Sequence, residues 1–304
     1  MKKSDTLVGA VIYPGVAPYI PDFLAALERQ DTKDFDLLVL VDSVPNFELL
    51  KTSFNCEQMH ASSSATPAGI RSEVILHAVR NRYEQLIFAD TDDSFSGNRI
   101  SASVEHLKTH DFVFNELDLV DEKGSVLESG FLSKIHPFGH LTDYRGIVDF
   151  NVLGLSHTAV KVEALKEFEK VEGIVAFDWW LFTTLLLRGT RGKFIPDATT
   201  YYRQTASNVV GMMHKLNLDR LIHGIKVKSD HYVKVIKYCE AHRIMRAVTI
   251  YSEKLDEMES LGIAIDNKCF REDYISILNN NLNQIFKGWW SEILPLTEWS
   301  AYEI

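Results

Sequence analysis

Three carboxylates fall within four positions at Asp90-Thr91-Asp92-Asp93, directly after the apolar run Leu86-Ile87-Phe88-Ala89. A short apolar run of this kind reads as a strand buried on both faces. Carboxylates where it ends would sit at the carboxyl edge of a parallel sheet, the edge at which open α/β folds bind ligands. Like charges this close raise one another's pKa, and a cation relieves the repulsion. Hard oxygen ligands suit Mg²⁺ or Mn²⁺, ions that bridge protein carboxylates to phosphates. The segment therefore suggests a metal-held phosphorylated substrate. The competing reading is a solvated acidic turn with Asp92 or Asp93 as a helix N-cap.

The elements that would position these residues alternate in type. Leu7 to Tyr13 reads as a strand. Tyr19 to Gln30 carries apolar residues at Tyr19, Phe23, Leu24 and Leu27, the spacing of one helix face, with Pro21 in its first turn. Phe35 to Val41 reads as a second strand closed by Asp42, and Ala68 to Asn81 as a helix. With Leu86 to Ala89 this makes a βαβαβ pattern, which implies a parallel sheet with right-handed crossovers. Further on, 111–115 and 148–155 read as strands, Val120 and Val126-Leu127 as hairpin arms about Asp121-Gly124, and 131–145 as a loop. Lys161 to Lys170 reads as a short helix, Asp178 to Arg188 as an apolar helix stopped by Gly189, and Ile195 to Tyr202 as an extended segment. From about His214 the chain is helical throughout, so the expected division is an α/β domain over 1–213 and a helical region over 214–304.

The composition is that of a soluble globular protein, 46% hydrophobic and 24% charged over 304 residues. A net charge of −10 argues against nonspecific nucleic-acid binding, which needs a basic surface. The cysteines Cys56, Cys239 and Cys269 are scattered and odd in number, which fits a reducing cytoplasm and shows no zinc-site spacing. Met1-Lys2-Lys3 opens like a signal peptide, but Asp5 and three prolines interrupt the apolar run, and no stretch reaches the ~18 apolar residues of a membrane span.

Five pieces occur in one order: Asp42 at a strand end, Gly69-Ile70-Arg71 opening a helix, Asp90 to Asp93, Phe177-Asp178-Trp179-Trp180-Leu181, and Tyr201-Tyr202-Arg203-Gln204-Thr205-Ala206-Ser207-Asn208-Val209-Val210-Gly211. This order resembles the family-2 glycosyltransferases of GT-A fold, and especially their rhamnosyltransferase-like bacterial members. The likeness spans roughly residues 6 to 211. It implies a GT-A-type, Rossmann-like, mostly parallel sheet flanked by helices, followed by a helical C-terminal extension. It implies transfer of a sugar from a UDP- or dTDP-sugar to a hydroxyl of a glycan or lipid-linked acceptor, with Mn²⁺ or Mg²⁺, at the cytoplasmic side of the membrane.

Asp92 is the first choice as metal ligand. The resemblance gives Asp90 the ribose or the metal and Asp93 a supporting role. Asp42 occupies the place of the family's base-reading aspartate, although a strand-end turn cap explains it equally. Arg71 matches a helix-start arginine that faces the nucleotide; its alternative is an exposed helix residue. Tyr13 stands in the family's segment after the first strand, where Ile12-Tyr13-Pro14-Gly15 departs from the usual Thr-Tyr-Asn. Arg203 and Gln204 resemble a loop that closes over the diphosphate. Thr205 replaces the histidine common there, leaving His214 as a substitute ligand or a surface residue.

Asp178 is the candidate general base. Inverting transfer needs a carboxylate to take the acceptor hydroxyl's proton as oxygen attacks from the face opposite the leaving group. Trp179 and Trp180 beside it offer a sugar-stacking surface, and a helix N-cap is the plainer role for Asp178. His157 could line the acceptor side, though a core or strand-edge histidine is the plainer reading. The tail Trp289-Trp290 to Trp299 either packs internally, forms a homodimer contact or touches a membrane. Two other enzymes fit parts of the pattern. Asp90-Thr91-Asp92-Asp93-Ser94 also resembles the D-x-D-x-[ST] motif of haloacid-dehalogenase phosphatases, with Asp90 as nucleophile. A nucleotidyltransferase shares the topology, but a Gly-rich basic loop after the first strand is missing.

Overall fold

The computed structural model of the chain describes residues 2–44, 47, 52–62, 64–135, 139–205 and 215–302. Two compact units emerge. One comprises Met1–Thr142, Leu153–Val175 and Gly189–Thr205; the other comprises Asp143–Val152, Ala176–Arg188 and Ala206–Ile304.

The first unit is built on one mixed sheet. Its strands are β1 (Thr6–Ile12), β2 (Asp36–Val41), β3 (Asn55–His60), β4 (Gln85–Asp90), β5 (Ser94–Phe95), β6 (Phe112–Val120), β7 (Val126–Glu128), β8 (His140–Leu141), β9 (Thr158–Lys161) and β10 (Gly192–Arg203). The order across the sheet is β3-β2-β1-β4-β9-β6-β10-β5, with β7 on β6 and β8 on β10. Strands β3, β2, β1 and β4 run parallel, and β9 lies antiparallel between β4 and β6. Thus the expected α/β sheet is present, parallel in its first half and mixed beyond.

Burial explains the parallel half. Leu7, Val8, Ala10 and Ile12 of β1, and Leu37 to Val41 of β2, are each at most 2% exposed. Apolar side chains on both faces require cover on both faces. The cover comes from α1 (Ile20–Glu28), α2 (Pro67–Arg80) and α3 (Arg99–Leu107). Phe23, Leu24 and Leu27 of α1 join β1 and β2 residues in one core cluster. At the start of α2, Thr66 accepts from the Gly69 amide at 3.1 Å and Pro67 takes the first turn, an N-cap with a proline where no donor is needed. Gly9 lets α2 pack closely on β1: a Cβ there would stand 2.3 Å from Val74.

Several expectations change in detail. The hairpin about Asp121-Gly124 is present, pairing Val120 with Val126. Over 161–170 only the 3₁₀ turn Val162–Leu165 forms in place of the expected helix. The expected strand over 148–155 is absent; its one ladder contact is an isolated bridge between Asn151 and Trp289. Strand β3 and helix α3 add to the expected elements, and the expected loop over 131–145 carries a short helix over Phe131–Ile135 and the two-residue strand β8.

The second unit is helical: α5 (Phe177–Leu187), α6 (Leu218–Ala241), α7 (Met245–Ala264) and α8 (Lys268–Asn280), with the short α4 (Phe131–Ile135) belonging to the sheet unit. Asn217 and Asn267 cap α6 and α8 through their side-chain oxygens. Gly189, at φ +82°, ends α5 as its sequence suggests. The aromatic tail is buried within this unit: Trp289, Trp290 and Trp299 are 6–7% exposed, and Ile293 1%. Tyr274 donates to the Leu294 carbonyl at 2.7 Å and Lys228 to that of Ile293 at 2.9 Å. Among the described residues no helix is long and apolar enough to cross a membrane.

The tail's anchor is Gly288. Its φ is +151°, and a Cβ would meet the Asn151 carbonyl oxygen at 2.3 Å. That oxygen accepts from the Trp289 amide, so it cannot retreat without breaking the bridge. Gly288→Ala is expected to destabilise the protein by about 2–3 kcal/mol. Thermal denaturation of the variant measures this; an unchanged midpoint would show that the tail docks by other contacts.

Candidate active site

The carboxyl ends of three adjacent parallel strands bring together Tyr13, Asp42 and Asp90. Val11 of β1 stands beside Asp90 of β4, Ile12 beside Val41 of β2, and the Asp42 amide donates to the Ile12 carbonyl at 2.7 Å. The turn beyond β4 is pinned twice. Thr91 is wholly buried and its hydroxyl donates to the Val11 carbonyl at 2.7 Å; the Asp93 amide donates to the Asp90 carbonyl at 3.2 Å. The Tyr13 phenol and the Asp92 carboxyl interact, each shifting the other's protonation. Arg71, just past the first turn of α2, lines a small pocket with Asp90, Gly9, Val11 and Phe88. Ser43, in the left-handed region at φ +53°, donates from its hydroxyl to Asp42 at 2.9 Å.

The three carboxylates differ sharply. Asp90 and Asp92 are half-buried, whereas Asp93 is 2% exposed. Burial first, and the Asp90 charge second, push the Asp92 carboxyl up to about 6; Tyr13 and Arg203 oppose this. Burial, with the charges of Asp92 and Asp90, pushes Asp93 well above the usual carboxylate range. Burial first, and the charges of Asp92, Asp90 and Asp93 after it, raise the Tyr13 phenol.

The supporting role of Asp93 is correspondingly that of a buried pin and not of a metal ligand. One oxygen accepts from the Arg203 amide at 2.7 Å and the other from the Ser156 hydroxyl. It faces inward and holds the turn, leaving Asp90 and Asp92 toward the edge. Among the described residues no group of three or more His, Cys, Asp or Glu is arranged to hold a metal. Two carboxylates do suit an ion that completes its shell with substrate phosphates and water, the usual habit of Mg²⁺. His214, the substitute ligand, lies outside the described residues, as does the Ala206 to Gly211 part of the motif.

Arg203 is corrected from a diphosphate contact to a buried clamp. At the end of β10 its side chain is 2% exposed. Nε donates to the Asp92 carbonyl at 2.8 Å, one terminal nitrogen to the Glu122 carbonyl at 2.7 Å, and the other to Asp22 at 3.0 Å. The guanidinium also lies 4.7 Å over the Tyr19 ring. Its planar fork thus ties the turn after β4, the β6–β7 turn and the start of α1 to one point. Gln204 follows, its amide donating to the Val120 carbonyl at 2.8 Å. We expect Arg203→Ala to lower stability by about 2–3 kcal/mol and to weaken nucleoside and nucleoside diphosphate alike. Calorimetry with both ligands checks this; a loss confined to the diphosphate would return Arg203 to direct phosphate contact.

Asp178, Trp179 and Trp180 belong to the helical unit. Ala176, not Asp178, is the N-cap residue of α5; Asp178 stands in the first turn, half-buried, accepting from the Trp179 amide at 2.8 Å. The position favours a carboxylate at the helix's positive end. Trp179 does not offer a sugar-stacking face. It is wholly buried, stacks on His231 at 3.8 Å and donates its indole N–H to the Ile147 carbonyl at 2.6 Å. Trp180 is half-buried and meets Tyr238 edge-on at 6.3 Å, so it is the member of the pair with surface to present. His157, at 1% exposure in the sheet unit, is a core histidine and not an acceptor contact.

The sequence reading missed the layer behind the edge. Arg99, the first residue of α3, is 1% exposed. Its guanidinium donates to Asn115 at 3.0 Å and to the Phe88 carbonyl at 2.6 Å, over the Phe95 ring. Asn115 donates to the Thr200 hydroxyl at 3.0 Å, Thr200 to the Ser156 carbonyl at 3.3 Å, and Ser156 to Asp93. A continuous buried polar chain therefore runs from β4 through α3, β6 and β10 to the acidic turn.

No protein-family model matches this sequence, and no curated protein matches it. Solved structures do match in fold. S. aureus TarS 1-349 in complex with UDP-GlcNAc superposes with a TM-score of 0.56 at 16% identity, covering 90% of this chain and 78% of that one. The mannosyltransferase PcManGT from Pyrobaculum calidifontis, in complex with GDP-Man and Mn²⁺, gives 0.50 at 13% identity over 89% and 83%. GalNAc-T7 with UDP, GalNAc and Mn²⁺ gives 0.50 at 10% identity over 66% and 44%. At these identities the likeness establishes the GT-A fold.

Proposed function

We propose that this chain is an inverting glycosyltransferase that moves a sugar from a nucleoside-diphosphate donor, UDP- or dTDP-linked, to a hydroxyl of a glycan or lipid-linked acceptor. The observation that carries the reading is the pair Asp90 and Asp92 at the carboxyl end of β4, beside Tyr13 and Asp42, with Asp90 sharing a pocket with Arg71. Support also comes from the fold, which PcManGT and TarS place around GDP-Man and UDP-GlcNAc.

In this reading Asp42 accepts a hydrogen bond from the base, Tyr13 and Arg71 flank the nucleotide, and Asp90 and Asp92 hold Mn²⁺ or Mg²⁺. The ion, when bound, offsets charge on the departing diphosphate. Asp178 takes the proton of the attacking acceptor hydroxyl, and Trp180 stacks against the acceptor sugar. The chemistry is assigned to residues 1–213, and acceptor binding or association to 214–304.

A thermal-shift panel of UDP, dTDP and GDP, each with and without Mn²⁺, tests the proposal. We expect one nucleotide to raise the midpoint, and to do so mainly with the metal. No response to any nucleotide with metal would overturn it. Release of inorganic phosphate from phosphorylated substrates, lost in Asp90→Asn, would instead favour the phosphatase reading.

A further inference from the structure

Arg99 is a full positive charge buried beneath an acidic edge without a carboxylate in its grasp. Both of its side-chain hydrogen bonds go to neutral acceptors, the Asn115 amide oxygen and the Phe88 carbonyl. Burying an ion in this way is unfavourable unless nearby charge compensates it. The charges that act on it are those of Asp93 and Asp90. The other buried guanidinium of the site, Arg203, already shares its charge with Asp22 at 3.0 Å.

The consequence appears when charges are balanced at the proposed metal site. Two ligand carboxylates, Asp90 and Asp92, cancel a divalent cation. Arg71, which shares a pocket with Asp90, supplies one cation at the front of the edge. A second cation that is fixed and shielded from water adds an attraction for the diphosphate that is not screened. Arg99 meets that description, since it lies behind the sheet edge and leaves the front open to ligand.

We propose that Arg99 is a specificity-determining residue: seated on the Phe88 carbonyl two residues before Asp90, its buried charge weakens the hold of Asp90, and so of the Asp90–Asp92 pair, on a lone cation and strengthens the affinity of the metal-loaded site for a diphosphate. The inference rests on the glycosyltransferase reading and adds to it a residue that never touches the ligand.

The two effects have opposite signs, and that makes them separable from a loss of structure. Calorimetry would measure three affinities: Mn²⁺ alone, UDP (or whichever nucleotide the panel selects) at saturating Mn²⁺, and uridine or its counterpart nucleoside. In Arg99→Gln we expect Mn²⁺ alone to bind roughly three- to tenfold tighter and the diphosphate to bind weaker by a similar factor, with the nucleoside unchanged. Arg99→Lys, which keeps the charge, should restore both affinities toward wild type. If Arg99→Gln does not fold, Asn115→Asp serves: it keeps the acceptor for Arg99 and cancels its charge, at the loss of the amide donations to the Thr200 hydroxyl and the Glu116 carbonyl. It should move the two affinities in the same opposite directions. Parallel loss of Mn²⁺ and diphosphate binding, or no change in either, would overturn the inference. Failure of wild-type protein to bind any nucleoside diphosphate would instead overturn the glycosyltransferase reading, while the response to Mn²⁺ alone would still report on Arg99.

Discussion

Asp178→Asn is expected to keep the fold and donor binding and to slow sugar transfer by roughly 10²–10⁴-fold, the range for loss of a general base. The substitution is nearly isosteric. Its side-chain oxygen still accepts from the Trp179 amide, the 2.8 Å bond that orients Asp178 in the first turn of α5. What it loses is the negative charge that favours this helix end, worth about 0.3–1 kcal/mol, so the thermal midpoint should fall only slightly. Trp179 fixes the turn from behind, stacked on His231 and bonded to Ile147, and neither contact involves the carboxylate. Donor affinity measured by calorimetry and transfer measured by product formation separate the two roles. Transfer near the wild-type rate in a folded variant would place the base elsewhere. Under the phosphatase alternative, Asp178→Asn would leave phosphate release untouched.

The parts of this molecule that its sequence announces are those whose residues have only one environment that suits them. Leu37 to Val41 and Leu86 to Ala89 are apolar on both faces, so each had to be a covered strand, and each is. Strand β3 escaped because Asn55-Cys56-Glu57-Gln58-Met59-His60 lies at the sheet's edge, half-buried to exposed, where main-chain pairing to β2 and not side-chain burial defines it. Residues 148–155 misled for the opposite reason. Val148, Val152 and Leu153 are buried, but as irregular chain in contact with other segments, without a ladder.

The site divides in the same way. Three adjacent carboxylates are visible as a cluster, yet nothing in Asp90-Thr91-Asp92-Asp93 tells which one turns inward; the Ser156 hydroxyl and the Arg203 amide, 63 and 110 residues away, decide it. Arg203 was visible as an arginine at a telling place. Its targets are main-chain carbonyls at 92 and 122, and carbonyls carry no sequence signature. Arg99 was invisible, because an arginine opening a helix ordinarily faces water and only the fold supplies Asn115 and Phe88 to receive it.

Asp92→Asn is expected to abolish metal-dependent nucleotide binding and, in the absence of metal, to make the protein more stable at neutral pH. Both outcomes follow from one fact: Asp92 is a half-buried carboxylate held beside Asp90. Its folded pKa, about 6, lies above the ordinary 3.8. A carboxylate shifted upward favours the folded state where it is protonated in both states, below about pH 4, and that contribution is lost as pH rises through about 6. At pH 8 the wild-type protein therefore carries the cost of a buried charge, first from desolvation and second from repulsion by Asp90, on the order of 2 kcal/mol, that asparagine does not. The turn beyond β4 keeps its pins at Thr91 and Asp93, neither of which uses the Asp92 side chain. Thermal midpoints of the metal-free proteins should differ most at pH 8, with the variant higher, and converge toward pH 4. Adding Mn²⁺ with nucleotide should raise the midpoint of the wild type and leave the variant where it was, because the single remaining carboxylate, Asp90, gives the ion too weak a hold to bridge to a diphosphate. Equal calorimetric affinity for the metal–nucleotide pair in both proteins would remove Asp92 from the metal site. A variant less stable than wild type at pH 8 would show that Asp92 supports the turn and is not strained within it.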